Sequence, residues 1–525
     1  MSWSQLSGLP INGLWKSIAI SSDGQYQTVC DEFFGNGVYY SINYGSSWSQ
    51  TTVPTTNAQW KSIAMSSDGQ YQTVCDISTT YGVYYSINYG SSWSQVPNIQ
   101  LPTNGQWNSI TMSTTGQYQT VGGNGTYGVY ISINYGLTWS KASAPPSGGT
   151  WNVKMSSSGQ YQTIGENSSA YGVYYSINYG SSWSQVPNIP TTGSWYSIAM
   201  SSSGQYQTIG DISTNNNGVY YSINNGVTWS KASGPPDIGR WNSIAMTSDG
   251  VYQIVDSDEN GVYYSTNYGA NWALINQLPI NGNWCSIAIS SDGIYQTVAT
   301  YITNGVYYSK DKGVTWSQSN VPTTNGQWSS IVMSSNGHYQ TVSGYHQVWG
   351  ISEEVPCFNK GTKILCLNTN INTGIEDIYI NIEDITTNDY VKTFKDGYKK
   401  INKIHKGSFI NNLNKPFLCM YKMNKKDDMI DDLIVTGKHS ILVDKLTNDE
   451  KKNMINNNAE PNIKIDDKYL ILACVSDKFE QIKDNERYEY YHLSLNSDNK
   501  ERRYGIWANG VLTETTYSEN IQELD

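Results

Sequence analysis

Few side chains among the 525 residues stand where they could do covalent chemistry, and the thiols come first. There are seven cysteines, Cys30, Cys75, Cys285, Cys357, Cys366, Cys419 and Cys474. An odd set with no CxxC pair suits neither a disulfide scaffold nor a zinc site, so free thiols in a reducing compartment and no metal are expected. Cys357 stands apart because a cysteine can attack the carbonyl of the residue before it, here Pro356, through a five-membered ring. High effective molarity then replaces a bimolecular encounter, and the product is a thioester. The alternative for Cys357 is a buried small hydrophobe, the usual state of a free cysteine. Downstream, Thr436-Gly-Lys-His439 and His492 offer a hydroxyl and two imidazoles, groups that orient one another and move protons. No cofactor is implied.

The segments that must hold these groups together carry a resemblance. CFNKGTKILCLN, starting at Cys357, resembles the opening of Hint domains, the fold shared by hedgehog processing domains and inteins. NIEDITTNDYVKTFKDG is similar to that family's strand-turn-strand ending in Asp-x-Val, and LIVTGKHSILVD contains its TxxH motif as Thr436 to His439. YYHLSL and YGIWANGVLTETTY resemble its last block, so four blocks stand in the family's order. The resemblance implies a β domain in which Cys357 forms the thioester, His439 protonates the departing nitrogen and Thr436 helps orient His439. Two readings stand for His492, a satisfied sheet histidine or a supporting role. Cys366, Cys419 and Cys474 lack motif context and are expected in the core.

The fate of the thioester follows from the last block. Splicing inteins end in His-Asn before a Cys, Ser or Thr, whereas the corresponding stretch here is Val511-Leu-Thr-Glu-Thr-Thr516, without that Asn. Hydrolysis, or transfer to an external amine or hydroxyl, is left. A proline carbonyl is hindered, so the Pro356-Cys357 bond is expected to break slowly and to need a trigger.

Before residue 353 the chain is a repeat. A tryptophan recurs at 15, 60, 107, 151, 195, 241, 284 and 328, a spacing of 43 to 47 residues. That period fits one four-stranded propeller blade, and each unit has strand-like segments such as WKSIAM, QYQTV and GVYYSIN separated by SSDG and YGSS turns. The second turn resembles the Asp-box (SxDxGxxW) of sialidase-like propellers, with Asn43, Asn88, Asn134, Asn178, Asn224, Asn267 and Asp311 in the acidic position. Its chemistry is structural: the side chain bonds the turn's own amides, Gly supplies positive φ and Trp packs between sheets. The unit from Trp328 lacks a last strand, while Trp3-Ser4-Gln5 is a last strand without a unit. Joining the two closes an eighth blade and removes exposed edges; seven blades plus a leftover segment is the alternative.

Charge and composition narrow the function. The net charge of -11 leaves no basic stripe for nucleic acid, and only eight of 32 Lys and Arg precede residue 353. No run of 18 apolar residues and no secretion signal is present. Sialidases hold a carboxylate with three arginines, but this repeat has Arg240 alone. Acidic residues after the second strand (Asp31, Glu32, Asp76, Glu166, Asp211, Asp256, Asp258) are either solvated loop ends or a set that binds a cation or polyhydroxyl ligand. The expectation is an all-β chain: a closed β-propeller over 1–352, then a Hint-fold β domain over 353–525. It is read as a self-processing precursor that cuts between Pro356 and Cys357 to release or transfer a propeller, with a glycan or protein ligand on the propeller face. The alternative is a non-cleaving structural or adhesive protein. The Asn, Lys and Ile-rich tail resembles proteins of large DNA viruses that infect amoebae, which places the chain in a virion or host cytoplasm.

Overall fold

A computed structural model describes residues 3–515 except 7, 34, 46, 52–57, 169, 214–216, 302–304, 323–326, 353–356, 369–375, 412–418, 427, 457–460 and 498–501. The chain packs into two units, Met1–Ser352 and Glu353–Asp525. No helix among the described residues is long and apolar enough to cross a membrane.

The first unit is an eight-bladed β-propeller, each blade a four-stranded antiparallel sheet. Blade 1 runs from inner to outer strand as Trp15–Ile20, Gln27–Asp31, Val38–Ser41 and Ser49–Gln50. Blade 8 has Trp328–Met333, Tyr339–Gly344 and Gln347–Ser352, and its outer strand is Ser4–Gln5 from the other end of the chain. Ser4 pairs with Gly350 and Gln5 with Trp349, while Asn320 brackets Trp3 through both its main-chain groups. The seven-blade alternative is thereby excluded, because the leftover segment is the missing strand.

The repeat sequence dictates this packing. The leading tryptophan of every blade is essentially fully buried. Trp15 meets Tyr39 of its own blade edge to face at 5.6 Å, a pairing repeated by Trp60 with Tyr84 and Trp107 with Tyr130. Each such ring removes about 150–250 Å² from water, on the order of several kcal/mol at about 25 cal/mol per Å². Gly24 has φ +87, and a Cβ there would lie 2.6 Å from the Tyr339 ring of blade 8, so glycine is required on both counts.

Polar groups join blade to blade. The threonine of the second strand donates to the glutamine of the next blade: Thr28 to Gln72, Thr73 to Gln119, Thr120 to Gln162, Thr163 to Gln207, Thr208 to Gln253, Thr297 to Gln340 and Thr341 back to Gln27, all at 2.5–2.7 Å. Blade 6 (Trp241–Met246, Gln253–Ser257, Gly261–Ser265 and Ala273–Leu274) has Ile254 in that place, so the buried Oε1 of the facing Gln296 receives no threonine hydroxyl. A second ring is purely main chain. The amide of Ser22 donates to the carbonyl of Ser67, and the pattern passes through Thr114, Ser157, Ser202, Ser248, Ser291 and Ser335 before Ser335 donates to Ser22, with N···O distances of 2.8–3.0 Å.

The second unit is built on one continuous sheet wrapped around its own core. Its longest ladder pairs Tyr398–Ile410 with Arg487–Leu495. Phe358, Ile364, Cys366, Cys419, Leu433, Val435 and Leu493 are buried within it, which is where the sequence expects Cys366 and Cys419. Cys474 is half-buried against the same cluster.

Candidate functional site

The two-residue strand Phe358–Asn359 is wedged between Leu433–Thr436 and Arg487–Leu495. Phe358 pairs with Val435 on one side and Tyr491 on the other. In antiparallel pairing one step back along the short strand is one step forward along its neighbours, so Cys357 falls opposite both Thr436 and His492. Register alone therefore brings to Cys357 two residues that lie 79 and 135 positions away in the chain.

Cys357 is buried, at 6% exposure. Its amide donates to the Thr436 hydroxyl at 3.1 Å, and its carbonyl accepts the Thr436 amide at 3.1 Å. Its Sγ lies 3.3 Å from Nδ1 of His492, which is also buried. The amide so held is the nitrogen of the Pro356-Cys357 bond. Pro356 itself lies outside the described residues, as does Thr516 at the end of the last block. Tyr490 flanks the thiol, and burial together with Cys357 raises the pKa of its hydroxyl.

His439 reaches the site from the other side of the Thr436 turn. Its amide donates to the Thr436 carbonyl at 2.9 Å, and its ring sits 4.2 Å from the Phe358 ring centroid. The imidazole is 1% exposed, and neither ring nitrogen has a hydrogen-bond partner among the described residues. Burial without a counter-charge pulls its pKa down to about 3, so the ring is neutral at pH 7. Thr436 was expected to orient His439; its hydroxyl instead holds the Cys357 amide, and it meets His439 only through the main chain.

Three supports were not legible as motifs. The Cys419 carbonyl accepts the Gly437 amide at 2.9 Å, the Gly437 carbonyl accepts the Cys474 amide at 3.0 Å, and the His439 carbonyl accepts the Ala473 amide at 2.8 Å. These main-chain bonds pin the turn from Thr436 to His439, and a signal for them would have required knowing the sheet order. Among the described residues no group of three His, Cys, Asp or Glu side chains could hold a metal ion.

In the propeller, the repeated Ser-x-Asn turn uses its polar groups on itself. In blade 1 the Ser41 hydroxyl accepts the Gly45 amide at 3.0 Å, Asn43 Oδ1 accepts the Ser47 amide at 3.0 Å, and the Trp48 indole donates to the Gly45 carbonyl at 3.1 Å. Asn88, Asn134, Asn178, Asn224, Asn267 and Asp311 accept the corresponding amide in their turns. The acidic residues after the second strand are consumed in a similar way. Asp31 accepts the amides of Leu14 and Asn36, Asp76 those of Gln59, Ser78 and Tyr81, and Asp211 those of Ser194 and Ser213. Burial works against ionisation of Glu166, but bonds from Ser168, Ala170 and Thr150 outweigh it and hold its pKa down. Glu32 pairs with Lys61 at 2.9 Å, and Asp258 faces Arg240 at 3.8 Å. Asp256 is buried and lies one register position earlier, and desolvation raises its pKa well above the usual range. The set ties loops to blades rather than forming one open ligand site.

No protein-family model matches the chain, and no curated protein matches it in sequence. Among solved structures it is similar to YCF48 from Cyanidioschyzon merolae, with TM-score 0.44 and 14% identity over 67% of this chain and 99% of that chain. It is also similar to YCF48 bound to D1 peptide, with TM-score 0.41 and 14% identity over 56% of this chain and 92% of that one. A third is the GH74 xyloglucanase from Xanthomonas campestris, with TM-score 0.40 and 10% identity over 76% and 86% of the two chains.

Proposed function

We propose that the chain is a self-processing precursor in which the second unit, a Hint-type domain, cuts the Pro356-Cys357 bond and releases or transfers a propeller binding module whose outer turns are Asp-boxes. The observation that carries this reading is the pair of contacts on one residue: the Cys357 thiol against His492 and the Cys357 amide against Thr436. In the first step His492 Nδ1 takes the thiol proton and Sγ bonds to the Pro356 carbonyl carbon. The bond from that carbon to the Cys357 nitrogen then breaks, and the nitrogen leaves with a proton from the imidazolium form of His439, which draws that proton from solution because the ring is neutral at pH 7. Thr436 holds the N–H of this nitrogen throughout, which fixes where its lone pair emerges as the carbonyl carbon becomes tetrahedral. The product is a thioester on Cys357 with a free amine at the same residue. Water, or an amine or hydroxyl compound, attacks the thioester, restores the thiol and leaves the propeller as an acid, amide or ester.

Intact mass of the full chain tests the reading. Fragments 1–356 and 357–525 should form, faster with hydroxylamine or a strong thiol, and not at all in Cys357→Ala. His439→Ala should slow cleavage by roughly 10²- to 10⁴-fold, the range for losing a general acid. Because a proline carbonyl is hindered, Pro356→Gly should speed it. If wild type and Pro356→Gly both stay intact for days with excess thiol while folded, the proposal fails.

One observation favours a second reading, a non-cleaving structural or adhesive protein with an inert second unit. His439 is neutral at pH 7 and has no partner among the described residues to recharge it. The same mass measurement separates the two.

A further inference from the structure

The junction of blade 6 with blade 7 (Trp284–Ile289, Gln296–Thr300, Val306–Ser309 and Ser317–Gln318) lacks the threonine-to-glutamine bond, since Ile254 replaces the threonine. A second tie is missing there as well. At five junctions the tyrosine that precedes the second strand stacks on a tyrosine in the neighbouring blade's outer turn, as Tyr26 does on Tyr89 at 4.4 Å and Tyr206 on Tyr268 at 4.0 Å. Blade 6 offers Tyr252, but blade 7 has Lys312 at that place in its turn.

The same junction also carries a buried carboxyl. Asp256 pairs with Ser243, the register position of Cys30 opposite Ser17 and of Cys75 opposite Ser62. Those two thiols reach the main-chain carbonyl of the next blade's leading tryptophan, Cys30 that of Trp60 and Cys75 that of Trp107, both at 3.6 Å. Elsewhere a glycine stands there, and a Cβ on Gly122 or Gly165 would lie 2.4 Å from the corresponding carbonyl. Asp256 therefore sets its side chain against the carbonyl of Trp284.

Asp256 is 0% exposed. Its Oδ1 accepts the Ser243 amide at 3.0 Å, and its Oδ2 has no hydrogen-bond partner among the described residues. A protonated carboxyl has an O–H for the carbonyl it faces, whereas a carboxylate only accepts and would set acceptor against acceptor in a dry place. Burial, joined by the charge of Asp258, pushes the Asp256 pKa well above the usual range, so the closed junction favours the proton. The other titratable groups around it bring no positive charge to Oδ2. Asp258 accepts from Asn242 and faces Arg240 at 3.8 Å, and Cys285 on blade 7 is a thiol whose pKa burial and the two carboxyls raise and Lys16 lowers.

We propose that the junction between blades 6 and 7 is a pH-sensitive seam of the propeller, shut in acid, where Asp256 donates its proton across the junction, and loosened toward neutral pH, where opening lets the carboxyl ionise. An exposed aspartate titrates near pH 3.9, below the value held in the closed junction. Between the two values opening releases a proton, so it is favoured by up to about tenfold for each pH unit gained. Above the closed-state value the seam stays loose without further change.

Two amides cross this junction, that of Ser248 to the Ser291 carbonyl at 3.0 Å and that of Ile287 to the Ser243 hydroxyl at 3.1 Å. Hydrogen exchange of the full chain, resolved by residue and divided by the intrinsic rate at each pH, follows both. The amides of Ile63 and Ile110, bonded to Ser17 and Ser62 across other junctions, serve as references. Between pH 4.5 and 7.5 the protection of Ser248 and Ile287 should fall by at least about tenfold relative to the references. Asp256→Asn keeps a donor and cannot ionise, and Asp256→Ser installs the residue that blade 8 has at this position, Ser343. Both variants should hold the protection constant over that range and above wild type at pH 7.5. Wild-type protection that falls alike at every junction or not at all, or protection that still falls in either variant, would overturn the proposal.

Discussion

In the proposed cleavage Cys357 has two atoms with opposite duties, a sulfur that is to attack and a nitrogen that is to leave, and different neighbours stand by each. His492 faces the sulfur and Thr436 the nitrogen. Thr436→Val keeps the shape but leaves the Cys357 amide buried without an acceptor. It should slow cleavage and lower the stability of the second unit by about 1–3 kcal/mol in chemical denaturation, whereas Thr436→Ser should restore both. His439 has a separate signature. Its folded pKa of about 3 lies below the value of an exposed histidine, about 6.5, so between those two pH values the unfolded chain binds the extra proton. The stability tied to His439 is thus complete above about pH 6.5 and is lost at up to about 1.4 kcal/mol per unit as pH falls toward 3. His439→Gln should flatten that slope when unfolding of the second unit is followed between pH 7 and 4.5. The candidate residues were legible from type and order, but their partners were not. That Cys357 faces His492 depends on Phe358 pairing with both Val435 and Tyr491, and nothing in the chain near Cys357 announces either strand.

Each blade is held to the next by a threonine hydroxyl that reaches a glutamine, and one junction lacks it. Thr163→Val should cost about 1–3 kcal/mol, because Gln207 Oε1 would join Gln296 Oε1 as a buried acceptor without a donor. Ile254→Thr makes the reverse change at the blade 6 to blade 7 junction. It gains a hydrogen bond to Gln296 but loses buried aliphatic contact, so its melt should differ little from wild type. Ile254→Ala, which makes only the loss, should fall by about 2–5 kcal/mol. The repeat made the four strands of each blade readable, since Trp, Thr, Gly and Tyr recur at fixed offsets. The acidic residues were harder to read, because a carboxylate that accepts its neighbours' amides and one that awaits a cation look the same in sequence. Asp31 and Asp76 belong to the first kind only once the loops are folded back on them.

At the scale of the molecule, closure was legible from an arithmetic mismatch between an orphan Trp3-Ser4-Gln5 and a blade short of one strand. Removing residues 1–6 should expose the edge of Gln347–Ser352, lower the propeller's melting temperature by several degrees and promote aggregation. An unchanged melt would mean that the last strand adds nothing. The eight main-chain bonds that run from Ser22 to Ser67 and on around to Ser335 have a consequence that belongs to none of the blades. Their peptide dipoles follow one another around a circle, so the components in the plane of that circle cancel, unlike the aligned dipoles of a helix. A circle also has no first donor and no last acceptor. There is no frayed end in this ring at which the blades could begin to separate, and the closure of Ser4–Gln5 on Gln347–Ser352 lies inside blade 8 rather than at any of the eight junctions the ring spans.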